Sequence, residues 1–484
     1  MSVIPEPGPE AALTELRFGT DGIRGPVGPV ISQEVIARIV AGIVQYCATP
    51  DYRARAGHPA QSLTLVIGGD CRSTSDYFVQ LAVTVALALG ANVLKCAGYV
   101  TTPMLAHAVL DQSAHGGIMI TASHNPADHN GIKFIPHYGG PAMPADTEAI
   151  ERFLNADPPD LARFTQGRVE TFNPAEPYAE GLARLIDFGC IREAKLRICF
   201  DALFGAGKGY FRQVMRLWDI PAQVLHGEDD PWMGKAMPDP NEERLAELSS
   251  QVRHLGFDLG LATDGDADRF AAVDAHGHFL APNQCLAILA HYLYAYQSAQ
   301  GGLVRSISTT HLLDRIARHH GQPTSVGPVG FKFLSAALRA DRSLLMAGEE
   351  SGGFALRGHV PEKDGLLACF LLLEAVAATG ESLHELWAEV EATYGPVAAT
   401  RLDWDLPDPL RDELVAWSAH QETVELAGET FTRVDPNRSE FVAGDGSWVL
   451  VRQSGTEDLV RVYLETDLMG RLDAMRRDVE RWRE

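Results

Sequence analysis

The chain is short of basic residues. Its 484 residues carry 41 Lys and Arg against 64 Asp and Glu, a formal net charge of −23 with histidine neutral. Nucleic acids and anionic membrane surfaces are gripped by a basic field that displaces counterions or meets lipid headgroups, so neither is expected as a partner. Cysteine is sparse as well: seven residues, an odd number, at 47, 71, 96, 190, 199, 285 and 369, with no C-x-x-C pair. That spacing argues against a disulfide framework and points to buried free thiols in a reducing cytosol. Long apolar runs are missing, since stretches such as Leu366 to Leu373 stop at Glu374, well short of the ~18 residues a membrane span needs. The first fifteen residues hold Glu and Pro instead of a basic start and an apolar core. No export signal is read there, and a cytoplasmic location is expected. Low-complexity tracts and fixed-period repeats are also lacking, which argues against disorder and against a solenoid.

What is present is the composition of a folded protein, 46% hydrophobic and 22% charged, long enough for about three or four domains. One local pattern recurs: a short apolar strand, a loop of Gly, Ser or Asp, then a helical period. Leu63 to Ile67, Ile118 to Ile120, Leu196 to Phe200, Leu259 to Ala262, Leu303 to Ile307 and Leu344 to Ala347 each lead into such a loop. Strands that alternate with helices form largely parallel sheets, and these bind ligands beyond the carboxyl ends of their strands. In the tail, Val449 to Val451 and Val460 to Glu465 read as strands. Leu468, Leu472, Met475, Val479 and Trp482 mark an amphipathic helix over a small sheet. Polar, Pro-rich seams divide the chain into 1–157, 170–274, 275–402 and 403–484. The expected fold is α/β: three α/β units with mixed, largely parallel sheets, and a smaller C-terminal α+β domain around a central cleft.

Two segments carry the strongest chemical signals. In Thr121-Ala122-Ser123-His124-Asn125-Pro126, followed by Asn130-Gly131-Ile132-Lys133, a hydroxyl lies just past a buried strand beside an imidazole and ahead of a lysine. Phosphoryl or acyl transfer is staged with such groups. In Thr263 to Arg269, carboxylates at Asp264, Asp266 and Asp268 aim at one point, the hard oxygen environment that Mg²⁺ prefers. An EF-hand is excluded, because its loop glycine is Arg269 and its final glutamate is Ala275. A P-loop at Gly205-Ala206-Gly207-Lys208 is excluded too: Ala202 replaces the first glycine and Gly209 the Ser or Thr. Two further loops suit ligands. Arg452-Gln453-Ser454-Gly455-Thr456-Glu457, with Arg461 on the next strand, offers a cradle for a phosphate dianion. Gly348-Glu349-Glu350-Ser351-Gly352 offers acceptors and a hydroxyl for adjacent sugar hydroxyls.

These four loops resemble, in order, the catalytic, metal, sugar and phosphate loops of the α-D-phosphohexomutases, the phosphoglucomutase and phosphomannomutase superfamily. Phe18-Gly19-Thr20-Asp21-Gly22-Ile23-Arg24-Gly25 resembles the N-terminal motif of that family, so the likeness runs from about residue 16 to 465. It implies a phosphorylated Ser123 that passes its phosphoryl group to a hexose 1-phosphate and retrieves the other phosphate from the 1,6-bisphosphate, releasing the 6-phosphate. The implied cofactors are Mg²⁺, held by Ser123, Asp264, Asp266 and Asp268, and glucose 1,6-bisphosphate as activator and intermediate. Arg24, Lys133 and Arg269 are the candidates for charge stabilisation, and Lys133 or His124 for proton transfer. Arg452, Ser454, Gly455, Thr456 and Arg461 would hold the substrate phosphate, and Glu349 and Ser351 the sugar hydroxyls. Metal and clustered cations would have to reverse the acidic field inside the cleft.

Specificity is argued from departures. Glucosamine-type members usually resemble GEQSGH and many mannose-type members GEMSGH; here Glu350 and Gly353 replace the Gln or Met and the His, and the Glu-Glu-Ser form resembles phosphoglucomutases. Val329-Gly330-Phe331-Lys332 and Glu362-Lys363-Asp364-Gly365 resemble segments of glucose-type enzymes, which adds Lys332 to the site. Asp458 replaces a frequent proline and adds negative charge beside the phosphate loop. A phosphoglucomutase acting as monomer or homodimer is expected. The alternatives are a phosphomannomutase or dual-specificity mutase, and, in another class, a sugar-phosphate phosphatase.

Overall fold

The computed structural model describes residues 18, 22–57, 61–154, 166–454 and 459–483. Four sheets follow one another along the chain. The first holds β1 (Ile23–Pro26), β2 (Thr64–Gly69), β3 (Asn92–Cys96), β4 (Gly116–Ile120), β5 (His129–Pro136) and β6 (Val169–Phe172), in the order β1-β5-β4-β2-β3-β6. Its β4, β2, β3 and β6 run parallel, while β1 and β5 fold back antiparallel. Short apolar strands buried on both faces, such as Gly116–Ile120, need helices on each side, and the intervening periodic segments supply them.

The second sheet repeats the plan with β7 (Ile198–Asp201), β8 (Ala222–Leu225), β9 (Leu259–Thr263), β10 (Phe270–Val273) and β11 (Phe279–Leu280), ordered β11-β10-β9-β7-β8. The third holds β12 (Gly302–Ser306), β13 (Thr324–Gly327), β14 (Leu344–Glu349) and β15 (Gly353–Leu356), ordered β13-β12-β14-β15. Each is parallel at its centre with antiparallel strands at one edge. The fourth is wholly antiparallel: β16 (Ala398–Trp404), β17 (Thr423–Leu426), β18 (Glu429–Arg433), β19 (Glu440–Val442), β20 (Trp448–Gln453) and β21 (Val460–Thr466), ordered β16-β21-β20-β19-β18-β17. Three mixed, largely parallel α/β units and a C-terminal α+β unit therefore stand as expected.

The helix Gly365–Thr379 is apolar on every side and buried through twelve of its residues. It packs against β9 and β10 of the second sheet and β15 of the third. A helix without a polar face belongs in a core, and here it forms the seam between two units. Among the described residues no single helix is long and apolar enough to cross a membrane.

Strand pairing runs across all three seams read from composition. β6 pairs with β3, so the cut at 170 falls inside a strand of the first sheet. β11 pairs with β10 across the hairpin that a cut at 275 would divide. β16 pairs with β21 over seven residues, so the C-terminal sheet begins at Ala398 and not at 403. Proline and polar residues mark where chain reverses, whereas strand pairing depends on partners far away in sequence. The tail helix spans Met469–Glu480 with Leu472, Met475 and Val479 buried, but Leu468, at its N-terminal boundary, is 60% exposed. Five of the seven free cysteines are buried as expected; Cys71 and Cys190 are partly exposed.

Candidate active site

Each loop singled out in the sequence leaves the carboxyl end of a strand, or joins two, and contacts between side chains link them. After β4 the chain turns through Thr121, whose hydroxyl donates to Asp70 Oδ2 at 2.6 Å and accepts the Ser123 N–H at 2.8 Å. Arg72, its side chain wholly buried, pairs with Asp70 at 3.2 Å and donates to the carbonyls of Ser123 at 2.8 Å and Asn125 at 2.6 Å, as well as to those of Pro126 and His129. These bonds hold Ser123 at φ 51°, in the left-handed region that non-glycine residues avoid. Its hydroxyl donates to Asp264 Oδ2 at 2.9 Å and lies 3.3 Å from His124 Nδ1.

The opposing loop comes from β9. A Cβ at Gly265 would stand 2.4 Å from the Ser123 carbonyl oxygen, so only glycine lets the two loops approach. Asp264, Asp266 and Asp268 are completely buried, with carboxylate oxygens mutually within 4.8 Å. Asp266 Oδ2 accepts from Thr102 Oγ1 at 2.6 Å and Lys133 Nζ at 2.8 Å, while Asp268 Oδ2 meets Lys133 Nζ at 2.8 Å and Lys363 Nζ at 3.0 Å. The Oδ1 atoms of Asp266 and Asp268 are buried without a hydrogen-bond partner. Burial, then repulsion from Asp266 and Asp268, pushes the Asp264 carboxyl well above the usual range. Burial also works against an ionised Asp266, but the charge and hydrogen bond of Lys133 outweigh it and hold that carboxyl below the usual range. Three buried carboxylates with two orphaned oxygens fit a small hard divalent cation, which would satisfy both deficits.

Cations surround the acidic centre. Arg24, on β1 opposite Gly131, acts electrostatically on both Asp266 and His124. Arg269 pairs with Asp239 at 3.2 Å. Burial first, then the charges of Arg269 and Arg24, holds the His124 imidazole well below its ordinary value. His124 is therefore held in its neutral form at pH 7.

In the sugar loop, Glu349 Oε1 accepts from Gly330 N–H at 2.8 Å and Oε2 from Ser351 Oγ at 3.1 Å. Burial, reinforced by the adjacent Glu350 charge, raises its carboxyl. The Gly330 bond brings the start of the helix Phe331–Ala340 to this loop, and Lys332 is partly buried in its first turn. In the C-terminal sheet Arg452 lies directly opposite Arg461. Like charges across a strand pair repel, and a phosphate between them would remove that cost. Arg452 Nη2 donates to Tyr463 Oη at 2.8 Å, and Tyr463 donates to Glu350 at 3.2 Å, which joins the fourth unit to the third. Ser454, the last described residue before the turn, bonds through its N–H to Leu459 O at 2.8 Å. Gly455, Thr456 and Asp458 lie outside the described residues.

Sequence reasoning missed Arg72, Thr102 and Tyr463, and gave Lys363 no role beyond its place in a resembling segment. A polar residue inside or beside an apolar strand signals Arg72 and Tyr463, but their partners are remote in sequence. The glycine-rich stretch at 205–208 supports the acidic loop: Ala206 N–H bonds Gly265 O at 2.8 Å. Lys208 points away to Asp229 at 2.7 Å.

Comparison with known proteins gives the class. The chain matches the four phosphoglucomutase/phosphomannomutase domains: alpha/beta/alpha domain I at 15–159, domain II at 176–277, domain III at 281–394 and the C-terminal domain at 411–481. It is 32% identical to a phosphoglucosamine mutase of Frankia alni, covering 95% of each chain. It is 28% identical to a phosphoglucomutase/phosphomannomutase of Thermococcus kodakarensis, covering 93% of this chain and 94% of that one. A Thermus thermophilus protein solved as a candidate phosphomannomutase superposes with TM-score 0.83 at 30% identity, over 97% of this chain and 99% of that one. The chain belongs to the α-D-phosphohexomutase superfamily, whose members are isomerases that move a phosphate on a hexose.

Proposed function

We propose that this phosphohexomutase interconverts α-D-glucose 1-phosphate and glucose 6-phosphate through a phosphorylated Ser123 and a 1,6-bisphosphate intermediate. The observation that carries the reading is the Ser123 hydroxyl, 2.9 Å from Asp264 Oδ2 at the edge of a buried carboxylate triad ringed by lysine and arginine. In the transfer step the bond from phosphorus to Ser123 Oγ breaks as a bond from phosphorus to the sugar oxygen forms. His124, 3.3 Å from Oγ, is the group placed to take the proton of the attacking hydroxyl, against surroundings that favour its neutral form. Lys133 holds two carboxylates and serves as a fixed charge. Mg²⁺ bound by Ser123, Asp264, Asp266 and Asp268 would supply Lewis-acid stabilisation of the transferring group. Arg24 and Arg269 add positive charge around it.

Arg452, Ser454, Gly455, Thr456 and Arg461 bind the phosphate that is not reacting. Glu349 and Ser351, joined to each other, hold sugar hydroxyls shared by the two flipped orientations, and Lys332 lies beside them. Glu350 in the sugar loop supports glucose over mannose. Phosphorus-31 NMR on glucose 1-phosphate, with Mg²⁺ and a trace of glucose 1,6-bisphosphate, tests the reading beside parallel runs on mannose 1-phosphate and glucosamine 1-phosphate. Fastest conversion of the glucose signal to the 6-phosphate is expected. Faster turnover of either other sugar reassigns the substrate, and release of inorganic phosphate alone overturns mutase activity in favour of a phosphatase.

A further inference from the structure

A second cluster of metal-ligating groups lies on the surface between the second and third units. Asp274 follows β10, and its side chain is only 3% exposed. Its Oδ1 is locked by the N–H groups of His276 at 2.9 Å and His278 at 2.8 Å, which aims Oδ2 at two imidazoles. His278 Nδ1 is 3.1 Å from that oxygen, and His384 Nδ1, from the first turn of the helix Leu383–Tyr394, is 3.5 Å from it. One ligand atom from each of the three residues lies within 4.8 Å of those of the other two. A third ring, that of His276, is centred 5.2 Å from that of His384. In a tetrahedral site with bonds of about 2.0–2.1 Å, neighbouring ligand atoms are about 3.3 Å apart, so the two measured edges bracket the required value.

The geometry points to a second divalent-metal site formed by Asp274 Oδ2, His278 Nδ1 and His384 Nδ1. An imidazole-rich set with one carboxylate selects Zn²⁺ or a similar borderline cation over Mg²⁺, which prefers oxygen alone. The two N–H bonds to Oδ1 orient the carboxylate as outer partners do in built metal sites. Because His384 belongs to the third unit and Asp274 and His278 to the hairpin of the second, the ion clamps two units together. The site shares no residue with the acidic triad and does not depend on the substrate proposed above.

Equilibrium dialysis of the full chain against ZnCl₂, at slightly alkaline pH with excess MgCl₂, tests it. One Zn²⁺ is expected that His278→Ala and His384→Ala together weaken by at least about tenfold and that Asp266→Asn retains. Both histidines are largely exposed, with side-chain exposures of 70% and 53%, so the double variant is expected to fold and to keep its activity in Mg²⁺. Zn²⁺ should raise the melting temperature of the parent and leave the double variant unmoved. With Co²⁺ as the probe, visible d–d bands without a thiolate charge-transfer band exclude capture by cysteine. Failure to bind Zn²⁺, or binding unchanged in the double variant, overturns the site.

Discussion

Replacing Ser123 by alanine removes the hydroxyl that meets Asp264 Oδ2. Turnover is expected to fall by at least about 10⁴-fold, the order seen when a nucleophile is deleted. Intact-mass spectrometry of the alanine variant should show no phosphorylated species, while the parent acquires one after exposure to glucose 1,6-bisphosphate. Arg72 acts one layer behind. It neutralises buried Asp70 and gathers the carbonyls of the serine loop. Arg72→Ala leaves that carboxylate buried with the Thr121 and Ser75 hydroxyl bonds but no countercharge, a loss of about 3–5 kcal/mol, measurable as a lowered midpoint in urea unfolding.

At the scale of elements, the approach of the loops after β4 and β9 depends on one missing Cβ. Gly265→Ala would force the Ser123 carbonyl away from a contact of 2.4 Å. Reduced kcat with an unchanged far-ultraviolet circular dichroism spectrum is the expected result, because the strands that carry both loops stay paired. The end of β7 carries a pH-sensitive contact. His226 Nδ1 lies 2.8 Å from Asp201 Oδ1, and that hydrogen bond, opposed by burial, raises the His226 value above its ordinary 6.5. A raised folded value favours the native state below the unfolded value and loses that contribution as pH rises through the folded one. The stability advantage of the parent over His226→Gln should therefore shrink as pH climbs above about 6.5, measured as the difference between their melting temperatures at each pH.

At the scale of the whole molecule, the fourth unit reaches the rest of the cleft through Arg452, Tyr463 and Glu350. Tyr463→Phe removes the shared hydroxyl while keeping the ring. KM for glucose 1-phosphate is expected to rise by roughly tenfold, the worth of a charge-assisted hydrogen bond, with a smaller change in kcat. Steady-state kinetics separates the two. His311 adds to the same boundary by stacking on Trp448 with centroids 4.6 Å apart and donating its backbone N–H to Glu465. One buried apolar cluster runs through the first three units, and Trp448, Leu450 and Tyr463 of the fourth pack against Ile307 of the third; the acidic centre lies inside this assembly despite the net charge of −23.

The alternation of strand and helix and the loops of Ser123, Asp264 and Arg452 were legible in residue order. Their chemistry requires particular residue types close together in sequence, and hydrophobic periodicity is local. Strand partners were not legible: β6, β11 and β16 lie on the far side of polar seams from the point where composition divides the chain. Nor were the meetings of Lys363 with Asp268, of Arg72 with the Ser123 carbonyl, or of His384 with Asp274. Those pairs join residues dozens of positions or more apart, and only packing in three dimensions selects which buried charge is answered by which distant partner.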